Sequence, residues 1–176
     1  GGFLTLLKTL PTIISSFQGS IASLKNRKSG ASVARTENDL SFMTVIGGSI
    51  ALVVLIAILP MIPGNSALSK LMLGILIIIF GFFFVTVSSR IVGIIGSSSN
   101  PISGMTIATL MGTALIFIAV GWTGMVYEPM ALVVGGMICI AAANAGATSQ
   151  DLKTGYLVGA TPRSQQLALF IGVIFS

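Results

Sequence analysis

From residue 42 onward, charge-free apolar runs alternate with short polar breaks, and the length of each run is the first clue to the fold. A helix crossing a bilayer needs about 20 predominantly apolar residues. Residues 42–62 make one such run, closed by Pro60 and Pro63, with the turn-forming Gly64, Asn65 and Ser66 behind them. Residues 71–89 make a second, residues 105–122 a third and residues 129–148 a fourth. Residues 166–176 begin a fifth, which the chain truncates. Ahead of these, residues 1–41 read as the end of a preceding helix, broken at Pro11, and a basic cytoplasmic linker with Lys25, Arg27, Lys28, Arg35, Glu37 and Asp39. The predicted fold class is all-α, a polytopic transmembrane helix bundle over residues 42–176 with about four complete spans. Because the chain starts at Gly1 without Met and stops inside an apolar run, it is expected to be a fragment of a larger protein.

Composition supports the membrane reading. Hydrophobic residues make up 54% and charged residues 7%, with a mean hydropathy of +1.03; soluble domains carry roughly 25% charged residues. There is no histidine and a single cysteine, Cys139, in an apolar run. The usual soft ligands of a zinc or haem site are therefore missing, and neither a metal site nor a cofactor is expected. An intramembrane enzyme is disfavoured too, since no span holds an acid pair and Ser97, Ser98 and Ser99 have no visible base. The net charge of +5 lacks a basic patch interleaved with aromatics, so nucleic acid is not an expected partner, whereas membrane lipid is.

The distribution of charge orients the chain. With the linker placed inside, Lys8, Lys25, Arg27, Lys28, Arg35, Arg90, Lys153 and Arg163 fall on the cytoplasmic side, and only Lys70 falls outside with Trp122 and Tyr127. Cytoplasmic loops carry the Lys/Arg excess and amphipathic aromatics sit at the interfaces. Small residues four apart, Gly47 and Ala51, Ala108 and Gly112, Ala141 and Ala145, are candidate packing seams.

Two polar cassettes break the apolar pattern, residues 97–106 and residues 151–163, and they hold the candidate chemistry. Irregular polar backbone at membrane depth survives where it is buried in protein or lines a watery cavity. In the first cassette Gly96 can end one helix, while Asn100 and Pro101 supply a capping side chain and a first-turn proline for the next. The resulting helix N-terminus suits a carboxylate or other anion, and Arg90 could add a full positive charge. Ordinary loop capping fits the same residues, and Arg90 also fits a snorkelling anchor. In the second cassette Thr161 and Pro162 repeat the cap-and-proline start, and Arg163 follows in the first turn, where a cation opposes the helix dipole. That choice points to an anionic partner, either Asp151 or a substrate. Lys153 is a second candidate cation, Gly155 and Gly159 allow close backbone approach, and Asn144, Thr148, Ser149 and Gln150 extend the polar lining along the fourth span. A plain positive-inside loop accommodates Lys153 and Arg163 as well.

At these residues the chain resembles the oligopeptide transporter family, which includes bacterial and fungal peptide carriers and the plant yellow-stripe-like carriers of metal chelates. Residues 89–93, 98–106 and above all 151–163 carry the likeness, with Asp151-Leu152-Lys153-Thr154-Gly155-Tyr156 and the closing Pro162-Arg163 the specific part. Asn100, Pro101, Gly104, Lys153, Gly155, Pro162 and Arg163 match the family's signature positions. Where some members have an Asn-Pro-Gly-like step, this chain has its glycine, Gly104, three residues after Pro101. The resemblance implies a proton-coupled importer of small peptides or of metals held by peptide-like chelators, and its compact form implies a bacterial inner (plasma) membrane. A gradient-independent channel or membrane scaffold is the alternative reading. Glu37, Asp39, Glu128 and Asp151 are the acidic residues and none lies well inside a predicted span, so the proton carrier is expected elsewhere in the protein.

Overall fold

The structure, a computed structural model, describes residue 11, residues 35–59 and residues 66–175. The expected helix end before residue 22, most of the linker and the turn at residues 60–65 lie outside the described residues, as do Lys8, Lys25, Arg27 and Lys28. Among the described residues the secondary structure is helical, without strands. The helices are α1 (Phe42–Ile58), α2 (Ala67–Ile95), α3 (Ile102–Val120), α4 (Glu128–Leu157) and α5 (Pro162–Phe175), with short 3-10 turns at Arg35–Glu37 and Ser97–Ser99. Helices α2, α3 and α4 are long and apolar enough to cross a membrane, and α1 is a shorter apolar helix. The protein is an integral membrane protein built as a polytopic bundle.

Helix ends depart from the apolar runs. Helix α2 continues past residue 89 to Ile95, and α4 past residue 148 to Leu157. At 1.5 Å rise per residue, the 30 residues of α4 reach about 45 Å, against about 30 Å of hydrocarbon. Most of the second cassette is thus the polar end of a helix that outruns the lipid core, and the irregular part shrinks to residues 158–161. Helix α3 begins at Ile102, inside the first cassette, and ends before Trp122. Helices α3 and α4 finish with the same device, a positive-φ glycine at Gly121 or Gly159 that only a residue without Cβ adopts freely. The following N–H groups then reach back, from Trp122 to the Phe117 carbonyl at 2.8 Å and from Ala160 to the Gly155 carbonyl at 2.8 Å.

Helix α4 is the centre of the bundle. It packs along α2 on one side and α3 on the other, while α1 lies on α2 and α5 touches the end of α4. Its buried face recurs every fourth residue through Met130, Val134, Ile138, Ala142 and Gly146, and α3 answers with Met105, Thr109, Thr113 and Phe117. That periodicity is the i, i+4 ridge by which helices interdigitate. Cross-links from Ser88 to Ala142, from Ser149 to Ser89 and from Lys153 to Gly93 show α2 and α4 running parallel.

Small residues do form the seams, though not always the expected pairs. Gly112 faces Phe80 and Gly135 faces Leu110, but Gly47 has open space where a Cβ would sit. On α4 the tight contact falls at Ala142 and Gly146, one residue on from Ala141 and Ala145. Residues 141–147 are small at every position but Asn144, so spacing alone leaves the phase of that seam undefined. Polar partners on α2 select it. At the far end of the bundle Trp122 stacks on Tyr127 at 5.3 Å, with Phe117 beside both rings. Lys70 lies at this end and Arg35, Arg90, Lys153 and Arg163 at the other.

Candidate functional site

The cassettes meet at the basic end of the bundle. Gly96 ends α2, as the sequence predicts, and the three serines form a 3-10 turn whose first N–H, at Ser97, donates to Gln150 Oε1 at 3.3 Å. Asn100 does not cap α3. The capping position belongs to Pro101, which is exposed, and α3 begins one residue later than the cap-and-proline pattern predicts. Asn100 instead turns inward: its Nδ2 donates to Ser88 Oγ at 2.7 Å and lies 3.5 Å from the Ala142 carbonyl, to which Ser88 Oγ itself donates at 2.5 Å. Its Oδ1 is buried with no hydrogen-bond partner among the described residues.

Gly146 makes this knot possible. A Cβ there would sit 2.7 Å from Asn100 Nδ2 and 2.9 Å from Val92 Cγ2, so any side chain would push the amide out. Ser88 is fully buried, and in the sequence it is hidden within the apolar run of residues 71–89. The signal was present in the Ser88-Ser89 pair, since hydroxyls in lipid seek partners on neighbouring helices. Gly104 is exposed in the first turn of α3, with open space around it.

Basic side chains divide into two groups. Lys70 Nζ donates to the Leu59 carbonyl at the end of α1, Lys153 Nζ to the Gly93 carbonyl near the end of α2 and Arg35 Nη2 to the Gly159 carbonyl beyond α4. Each places a cation where the helix dipole is negative and unpaired carbonyls remain. The side chains of Arg90, in the last turns of α2, and of Arg163, in the first turn of α5, are exposed and form no hydrogen bond or ion pair among the described residues. Asp151 is exposed without a partner among them as well, so the pairing of Arg163 with Asp151 is not made.

Pro162 opens α5, as predicted. Gly155 is buried beneath Gln165, whose side-chain amide would overlap any Cβ at that position, and this contact seats α5 on α4. The end of the linker also reaches the corner. The Arg163 N–H donates to the Asn38 carbonyl at 3.0 Å, Gln166 Nε2 donates to Asp39 Oδ1 at 2.9 Å, and the Leu40 N–H donates to Gln166 Oε1 at 3.0 Å. Nothing in the composition of the linker announces this docking, because its partners lie more than 120 residues away.

On the outer side of α4, away from Ala142 and Gly146, Asn144 and Asp151 are exposed and Thr148 is half-buried between them. Offsets of four and seven residues put all three on one helical face. An exposed amide near the middle of a membrane-length helix is costly against hydrocarbon, so this face belongs against protein or water.

The family model described as OPT oligopeptide transporter protein matches residues 2–176. A protein of Haemophilus influenzae named "Putative oligopeptide transporter" is 34% identical over 174 residues, covering 88% of this chain and 28% of that protein. The chain thus spans under a third of the length of this relative. No solved structure matches the chain.

Proposed function

The chain belongs to the oligopeptide transporter family, and from that premise we propose that it forms part of a proton-coupled secondary transporter that brings small peptides, or metal complexes of peptide-like chelators, across a bacterial inner membrane. The observation that carries the reading is the outer face of α4. Asn144, Thr148 and Asp151 form a polar stripe that runs from the middle of a helix of membrane length toward the end of the bundle where the side chains of Arg90 and Arg163 stand without partners among the described residues. In this reading the stripe lines the cargo's path. A guanidinium holds the carboxylate of the cargo through paired N–H donors, Asn144 offers both a donor and acceptors to a peptide bond, and Asp151 attracts an amine.

Lys153 and Asn100 support the site from behind. Lys153 holds the end of α2 against α4, and Asn100 ties the first cassette to both helices. Rigid seating of this kind suits a transporter that moves bundles of helices around a central site. The name of the Haemophilus influenzae relative favours peptides over chelates.

Uptake by the full-length protein in proteoliposomes tests the reading. Small peptides and ferric or zinc chelates are offered with and without an imposed proton gradient. Peptide accumulation that requires the gradient supports it; uptake equal in both conditions removes proton coupling and favours the channel.

A further inference from the structure

At the far end of the bundle, opposite the polar cassettes, a cavity of about 270 Å³ lies between the end of α3 and the start of α4. Phe117, Trp122 and Tyr127 line it together with Glu128, and no basic residue takes part. The three rings fix one another. Phe117 is buried, its centroid 5.6 Å from that of Trp122 and 6.3 Å from that of Tyr127, and the Trp122 and Tyr127 rings stack within 16° of parallel. Backbone bonds hold the residues that carry them: the Trp122 N–H donates to the Phe117 carbonyl across the left-handed Gly121, and the Tyr127 N–H donates to the Gly124 carbonyl at 3.1 Å. The walls are therefore built by the contact of α3 with α4 and by the connection between them, all of it within the described residues.

We propose that this cavity binds an alkylammonium group, either the amine of a peptide or the headgroup of an amine-bearing phospholipid. Three kinds of negative charge meet there. Aromatic faces attract cations through their quadrupole, tryptophan most strongly. The end of α3 brings the negative end of its dipole, and Glu128 brings a full charge. A carboxylate in the first turn of α4 also suits that helix's own dipole, but the dipole does not account for the rings gathered beside it. Interfacial anchoring asks of Trp and Tyr only that their amphipathic rings sit at headgroup level. A concave cluster of rings edged by a carboxylate is instead the construction of an aromatic cage, which selects ammonium ligands. Lys70, the cation at this end among the described residues, is engaged elsewhere, its Nζ donating to the Leu59 carbonyl at the end of α1. Binding of this kind is a property of the cavity alone and does not depend on the transport reading.

Fluorine resonance spectroscopy of the full-length protein tests it. The protein carries fluorotryptophan in phosphatidylglycerol nanodiscs, and the Trp122 signal is identified by its loss in Trp122→Phe. The expected result is a saturable shift with tetramethylammonium chloride, and none with tert-butanol or with sodium chloride at the same ionic strength. Tyr127→Leu, which keeps bulk and removes a π face, should weaken binding about two- to fivefold, the worth of one cation–π contact at a partly exposed site, and Glu128→Gln should weaken it as well. No shift with tetramethylammonium would overturn the proposal, as would an equal shift with tert-butanol or unchanged affinity in both variants. Two further arms separate the sources. A shift with alanylalanine assigns the site to a peptide amine; a signal displaced by phosphatidylethanolamine discs, with more tetramethylammonium then needed, assigns it to the headgroup. If neither arm responds, no natural alkylammonium occupies the cavity and the proposal falls.

Discussion

Asn100 and Gly146 act as one unit. The amide of Asn100 occupies the space that a Cβ on Gly146 would fill, and it bridges Ser88 to the backbone of α4. Gly146→Ala is expected to destabilise the protein by about 1–3 kcal/mol, the usual range for forcing extra volume into a packed core. Removing the amide with Asn100→Ala should relieve part of that cost, so thermal unfolding of the double variant in detergent should fall short of the sum of the singles. Strict additivity would mean that the two residues do not share the space. Gly155 and Gln165 repeat the relation at the α4–α5 corner, and Gly155→Ala should be rescued there by Gln165→Ala. At this scale the sequence disclosed residue types more readily than partners. Asn100 beside proline spelled a helix cap, but the cap rule weighs only local chain; here a buried hydroxyl and a carbonyl on two other helices outbid it.

Among the elements, helix ends separate the basic residues by task. Lys153 donates to a carbonyl at the end of α2, whereas the guanidinium of Arg163, in the first turn of α5, has no partner among the described residues. Lys153→Met should therefore lower thermal stability, by on the order of 1 kcal/mol for a lost cation at a helix C-terminus, and Lys153→Arg should restore much of it. Arg163→Ala should leave stability nearly unchanged and abolish peptide uptake. The reverse pattern in unfolding and uptake assays would reassign the two residues. Hydropathy foretold the existence of the long helices but not their ends, because it registers lipid rather than helix. Arg90 interrupts the apolar sequence without interrupting α2, which continues through the apolar residues 91–95, and the polar end of α4, from Gln150 to Leu157, keeps hydrogen-bonding along the helix after the apolar run stops. Where the glycine at positive φ stands before a polar break, as at Gly96, the boundary is legible.

The molecule as a whole has a basic end and an aromatic end. Arg35, Arg90, Lys153 and Arg163 gather at the first, Trp122, Tyr127 and Lys70 at the second, as the counting of charges predicts. A cysteine at Ser98 should react with an impermeant thiol reagent only from the cytoplasm, and one at Thr123 only from outside. Labelling of both from the same side would invert or discard the topology. The arrangement of the helices was less legible, since nothing in the order of the runs says that α4 lies between α2 and α3, nor that residues 35–40 return to the α4–α5 corner. Long-range partners of this kind are chosen by shape and by hydrogen-bond complementarity, which a linear pattern does not display.

The central claim is that the outer face of α4 lines a watery path for a peptide. Asn144→Cys, in a Cys139→Ala background of the full-length protein, measures it most directly. The account predicts that a water-soluble, impermeant thiol reagent modifies this cysteine and that a transported peptide slows the modification. A cysteine at position 144 that is inert to the reagent, with uptake intact, would contradict it.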